Sequence, residues 1–137
     1  MEYYVETSIW LNVINNEGDA SKGTTWCEIG RNFLKKKKKV FYSGVVLREL
    51  QLNLDSVMYK QIRQELSKTF VRVDATLDDR AYARKLESFY CYAISFYDLV
   101  HLAIAKRIDA VLVSRDRQLL EIAKEQGVLA GRPEELQ

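Results

Sequence analysis

Ala110-Val111-Leu112-Val113-Ser114-Arg115-Asp116 decides the fold. Its first four residues form an unbroken apolar run, too short for a helix and without polar alternation, which is the pattern of a strand buried on both faces of a parallel sheet. The run stops at Ser114, and Asp116 stands just ahead of a helical pattern over Gln118 to Glu125 that Gly127 closes. Strand, acid and helix in that order make a β/α unit.

The same grammar recurs along the chain. Tyr3-Tyr4-Val5 reads as a first strand, followed by Glu6 and a helical segment Ile9 to Ile14 that Thr7 or Ser8 would cap. Asn15 to Ser21 reads as a loop, and Trp26, Ile29, Phe33 and Leu34 recur at helical spacing up to about Lys36. Val40-Phe41-Tyr42 is a second strand, Ser43-Gly44 a turn, and Val45 to Leu50 the start of a helix that carries Glu49. Val57, Met58, Ile62 and Leu66 mark another helix, and Phe70 to Val73 a third strand. A helical pattern from Leu77 to about Tyr90 places Ala81, Leu86 and Phe89 on related faces. Ser95-Phe96-Tyr97-Asp98 has the form of a capping box opening a helix through Ala105, and Val128 to Ala130 adds a short fifth strand. Alternating strands and helices predict an α/β protein, a three-layer α/β/α sandwich with a short parallel sheet of four to five strands, as a single domain over residues 1–137.

Composition narrows the class. In 137 residues, 47% hydrophobic and 29% charged content is what one compact soluble domain carries. No apolar run approaches the roughly 18 residues of a membrane span, and the N-terminus carries no basic leader, so a cytoplasmic protein without membrane contact is expected. Cys27 and Cys91 form no CxxC pair and no Cys/His array, which argues for reduced core thiols rather than a disulfide framework or zinc site. The net charge of +2 rests on the run Lys35 to Lys39, more often a solvated helix end than a nucleic-acid clamp, though able to attract RNA in a salt-sensitive way. The eight tyrosines read mostly as core and interface.

Four acids each follow a short strand-like run or begin the helix after one: Glu6, Glu49, Asp98 and Asp116. In an open parallel sheet, residues just past the strands' carboxyl ends converge however far apart they are in sequence. An oxygen-rich cluster poor in His and Cys suits Mg²⁺ or Mn²⁺ and points to phosphodiester chemistry. Each acid also has an ordinary explanation. Asp116 fits a helix N-cap, Asp98 the third helical position of the Ser95 box, and Glu49 a solvated helical acid beside Arg48. Glu6 is the most diagnostic, because a carboxylate ending a central strand is poorly placed for water and prefers a cation.

Tyr4-Val5-Glu6-Thr7-Ser8-Ile9-Trp10-Leu11-Asn12 resembles the opening of PIN-domain nucleases, in which an acid followed by Thr or Asn and Ser ends the first strand. Val45 to Leu50 resembles their second acidic motif, Tyr97 to Ala105 the third and Val111 to Asp116 the fourth, while Pro133-Glu134-Glu135-Leu136 is similar to the tail of small prokaryotic members. The resemblance covers nearly the whole chain. It is closest to the VapC-like toxin ribonucleases, which pair with an antitoxin, and to stand-alone archaeal PIN proteins. One departure stands out: Glu6 occupies a position where the family usually has Asp.

The resemblance implies a Mg²⁺- or Mn²⁺-dependent endoribonuclease that hydrolyses RNA phosphodiesters, with RNA and an antitoxin protein as partners and a homodimer as the assembly. Glu6, Asp98 and Asp116 become the expected metal ligands, and Glu49 a further ligand or the group that orients and deprotonates the attacking water. Thr7 and Ser114 are expected to hold metal-bound water through their hydroxyls, and His101, the sole histidine, to play a supporting or structural part. Arg48, Arg115 and Arg117 flank the acids and are candidates to grip RNA phosphates or simply to compensate charge. Two other readings compete. A PIN-fold module that binds RNA or protein without cleaving follows from Glu6, and a phosphoacceptor receiver domain from Asp74 at the end of the third strand, though the paired acids after the first strand and the late lysine of such a site are missing.

Overall fold

A computed structural model describes residues 1–17, 25–36 and 39–136. In chain order the elements are β1 (Tyr3–Val5), α1 (Thr7–Ile14), α2 (Trp26–Lys36), β2 (Val40–Tyr42), α3 (Gly44–Asn53), α4 (Ser56–Thr69), β3 (Val71–Arg72), α5 (Leu77–Phe89), α6 (Phe96–Arg107), β4 (Val111–Val113), α7 (Arg117–Glu125) and β5 (Ala130–Gly131), closed by a 3₁₀ turn at Pro133–Glu135. Most of the predicted loop after Asn15 lies outside the described residues, as do Lys37 and Lys38 of the lysine run.

The five strands make one parallel sheet in the order β3-β2-β1-β4-β5. β1 lies at its centre, with Tyr3, Tyr4 and Val5 opposite Val111, Leu112 and Val113 of β4. Successive strand side chains point to opposite faces, and all three β1 residues are buried, so helices cover both faces in the expected three-layer arrangement. The chain builds outward from β1 through β2 to β3, then crosses back to place β4 on the other side of β1. That reversal is a switch point, where the helices leaving two neighbouring strands diverge and open a crevice at the carboxyl edge.

Burial departs from the spacing argument in the outer layer. Val57, Met58 and Phe89 are exposed, and so is Ala81, because α4 and α5 turn other residues inward: Leu66 is buried on α4, with Tyr59 and Ile62 against the core, and Ala83 and Leu86 are buried on α5. The third strand is only Val71–Arg72, and both residues are exposed, as befits the sheet's edge. The fifth starts two residues later than expected, at Ala130–Gly131, since those residues pair with Leu112 and Val113. Cys27 is a buried thiol, but Cys91 is exposed on a tight left-handed turn with φ of 54° and does not belong to the core. No helix among the described residues is long and apolar enough to cross a membrane.

Candidate functional site

The end of β1 is fixed by its neighbour: the Glu6 backbone N–H donates to the Val113 carbonyl at 3.1 Å, which sets Glu6 beside the end of β4. Glu6, rather than Thr7 or Ser8, caps α1, its carboxylate accepting from the Ser8 N–H at 3.1 Å. The hydroxyls of Ser8 and Ser114 also donate to it, Ser114 at 2.7 Å. Buried to 4% exposure, the carboxylate is thus met by three donors from the chain itself. A Glu is long enough to reach back onto its own helix and across to the next strand at once. The Ser114 hydroxyl in turn accepts from the Asp116 N–H at 3.0 Å, so Ser114 joins the two acids at the switch point.

Thr7 is not spent on the cap. Its hydroxyl donates to Glu49 Oε1 at 2.8 Å, and His101 Nε2 lies 2.6 Å from the same oxygen. His101 is fully buried, and its Nδ1 is 2.6 Å from the Tyr4 hydroxyl, itself 2.7 Å from Ser43 Oγ. Burial raises the Glu49 pKa, but the His101 hydrogen bond and charge, with help from Thr7, overcome it and hold the carboxyl below its ordinary value. Burial likewise pushes the Tyr4 phenol far up against the opposing Ser43 bond, with the charges of Glu6 and Glu49 adding, so it stays a hydroxyl. An ionised Glu49 only accepts, which assigns a proton to Nε2, while the Tyr4 hydroxyl bridges His101 Nδ1 and Ser43 Oγ. The line Ser43–Tyr4–His101 therefore orients Glu49 from the core.

Asp98 and Asp116 both sit at helix starts. Asp116 caps α7, taking the Leu119 N–H at 3.2 Å. Ser95 caps α6 by accepting from the Asp98 N–H at 3.2 Å, but Asp98 does not return a bond to the Ser95 N–H, so the expected box is half made. Burial raises the Asp98 pKa to about 6; Ser95 and His101 pull it down, while the charges of Glu6 and Asp116 push it further up. Those two repulsions locate Asp98 with Glu6 and Asp116 on one edge. Among the described residues, no three His, Cys, Asp or Glu side chains are drawn together closely enough to hold a metal ion as they stand. The edge is acidic and under repulsion, but not a closed ligand set.

Of the three candidate arginines, Arg115 is turned into the protein. Its Nε donates to Asn12 Oδ1 at 2.8 Å and its Nη1 to Glu134 Oε2 at 3.0 Å, and its guanidinium lies 4.9 Å from the centre of the Trp26 ring. Its side chain is 9% exposed and ties the tail to α1 and α2, which leaves Arg48 and Arg117 as the exposed cations of the three. Arg117 bridges loosely to Glu121 at 3.3 Å. Asp74, the residue behind the receiver alternative, accepts from the Gly44 N–H at 2.8 Å and pairs with Arg72 at 3.0 Å, a structural role at the end of β3.

Sequence reasoning passed over Tyr4, Ser8, Ser43 and Asn12. The signal for Tyr4 was its place two residues before Glu6, on the same face of the strand. Ser43, directly after β2, had the position of an N-cap, which it fills by accepting from the Val46 N–H.

The sequence model of the PIN domain matches residues 3–125. No curated protein matches the chain. Among solved structures, VapC20 of Mycobacterium tuberculosis, described as a sarcin-ricin loop cleaving toxin, superposes with a TM-score of 0.71 at 21% identity over 96% of this chain and 100% of that one. VapBC-1 from nontypeable Haemophilus influenzae gives 0.74 at 12% identity, covering 98% and 99%. A toxin-antitoxin complex from Klebsiella pneumoniae gives 0.71 at 16% identity, covering 96% and 98%. At such identities the likeness is one of fold.

Proposed function

The chain belongs to the PIN-domain family, and on that premise we propose that it is a metal-dependent endoribonuclease, the toxin of a toxin-antitoxin pair acting in the cytoplasm. The observation that carries the reading is the convergence of Glu6 and Asp116, joined through Ser114, with Asp98, one helical turn from the His101 that bonds Glu49; burial and the charges of Glu6 and Asp116 hold the Asp98 carboxyl above its ordinary value. Carboxylates that repel at a sheet's carboxyl edge are relieved by a divalent cation, and an all-oxygen set suits Mg²⁺ or Mn²⁺. Asp98 and Asp116 would hold the ion, with Glu6 joining them directly or through water if Ser8 and Ser114 release it. Such an ion supplies a lowered pKa for bound water and neutralisation of the scissile phosphate.

The chain's own residues supply the rest. Both described bonds to Glu49 fall on Oε1, which leaves Oε2 to take a proton from an approaching water. The His101 bond keeps Glu49 ionised and fixes its rotamer, so the proton acceptor is ready before substrate arrives. Arg48 and Arg117, exposed next to Glu49 and Asp116 in sequence, would meet the phosphates. The fold shared with the Klebsiella toxin-antitoxin complex supports a small protein inhibitor as partner.

A noncatalytic RNA- or protein-binding module is the second reading, and the three donors on Glu6 together with the open ligand set favour it. Cleavage of a labelled RNA in Mg²⁺ or Mn²⁺, abolished by EDTA and by Asp116→Asn, supports the nuclease. If a folded protein binds RNA but cleaves none with either metal, the module is the better account.

A further inference from the structure

β3 ends the sheet, and its flank carries a groove that the acidic edge does not use. Two adjoining hollows, of about 600 and 400 Å³, share Phe70 as a wall. Phe70 is held rigid by an edge-to-face contact with Trp10, ring centres 5.0 Å apart. In the first hollow the α4 residues Lys60, Arg63, Gln64 and Ser67 form one wall. They fall at i, i+3, i+4 and i+7, the stripe that an amphipathic helix normally gives to apolar packing. Here that stripe is wholly polar and doubly cationic. Lys60 and Arg63 enter no ion pair among the described residues, and both are exposed. Arg31 and Lys35 of α2 line the second hollow, and among the described residues no carboxylate lines either one.

We propose that this groove holds the sugar-phosphate backbone of single-stranded RNA running on from the acidic edge, an inference that rests on the RNA-directed reading above. Cations along the walls and an apolar wall between them are the elements of a track for a single strand. Its position selects RNA over an acidic peptide. The first hollow is also lined by Tyr42 and Arg72, the last residues of β2 and β3, so it opens at the carboxyl end of the sheet, the end that carries the acids. A polymer lying on the edge continues into the groove, whereas a free peptide has no reason to begin there. Of the described lysines in the run, Lys35 lines it, whereas Lys39 pairs with Glu2 at 3.1 Å.

The test uses Asp116→Asn protein, so that cleavage does not interfere, and compares a trinucleotide with a single-stranded RNA of about 20 nucleotides. Adding Lys60→Gln and Arg63→Gln is expected to weaken binding of the long RNA roughly tenfold at low salt and to flatten its log K against log salt slope by about 1.4, while trinucleotide affinity stays put. Both residues are exposed, so the melting temperature is expected to hold. An unchanged slope overturns the proposal, as does failure of the long RNA to bind better than the trinucleotide. Tighter, Lys60- and Arg63-dependent binding of a polyglutamate peptide than of the long RNA also overturns it and gives the surface to a protein. If wild type cleaves nothing but the length-dependent binding is lost with Lys60 and Arg63, only the nuclease reading falls.

Discussion

Thr76-Leu77-Asp78-Asp79 and Ser95-Phe96-Tyr97-Asp98 carry the same capping pattern, at the starts of α5 and α6, yet the two acids end up doing different work. The first box is complete. Thr76 accepts from the Asp79 N–H at 3.1 Å, Asp79 accepts from the Thr76 N–H at 2.9 Å, and Arg107 from the end of α6 closes on the buried Asp79 carboxylate at 2.9 Å. In the second, the backbone half forms, no arginine arrives, and burial with the charges of Glu6 and Asp116 makes the ionised Asp98 costly. α5 and α6 run antiparallel, with Asp79 meeting Arg107 and Arg84 lying 3.8 Å over the Phe96 ring, so the two caps stand at opposite ends of the pair. A capping acid is structural where a cation meets it. Where other acids meet it, its charge is left uncompensated.

The sharpest separation is expected from Asp98→Asn, which should lower RNA cleavage by two to three orders of magnitude, roughly the effect of removing one preorganised electrostatic group from a site. The apo protein should melt at the same temperature or higher. A lower melting temperature with cleavage intact would make Asp98 a second Asp79. The converse change, Asp79→Ala, takes away the return half of the capping box and strands Arg107, and is expected to cost about 2–3 kcal/mol in denaturant unfolding while the folded fraction cleaves at the wild-type rate. Loss of turnover in folded Asp79→Ala would blur the distinction.

Next comes pH. The folded pKa of Asp98, about 6, lies above its ordinary value, so its contribution to stability is fully present below about pH 4 and is lost as pH rises through 6. Discounted for partial solvent screening, the loss is about 1 kcal/mol. It should disappear in Asp98→Asn and in wild type with millimolar Mn²⁺, which replaces the proton. A pH profile that Asp98→Asn leaves unchanged would remove the claim that Glu6 and Asp116 act on it. The smallest effect concerns Glu6. Shortening it to Asp loosens its hold on Ser8 and Ser114 and is expected to raise Mg²⁺-dependent cleavage a few-fold, less so with the geometrically tolerant Mn²⁺. A fall with both metals would show that the donors around Glu6 belong to the working site.

Much of this was legible in the residues. Short apolar runs at 3–5, 40–42 and 111–113 could only be buried strands, and parallel pairing gathers whatever follows them on one edge. The acids after them, and the helix starts at Ser95 and Asp116, are therefore readable from residue type and spacing. Burial on α4 and α5 was not, because Val57, Met58 and Phe89 have the right spacing for a core face and the wrong neighbours. Nor was the commitment of Arg115, next to an acid in sequence but turned toward Asn12, Glu134 and Trp26 in space.

The sequence by itself determined the strand and helix periodicity, the family's acidic positions and Glu6 in place of Asp, since these depend on residue type and local spacing alone. Only the tertiary structure decided how each acid is met: Glu6 by two hydroxyls and an N–H, Glu49 by Thr7 and the buried His101, Asp79 by Arg107, and Asp98 by repulsion from two other acids. The reason is electrostatic. A carboxylate's energy is set by the charges and donors within a few ångströms of it, and at a sheet's carboxyl edge those come from segments far apart along the chain.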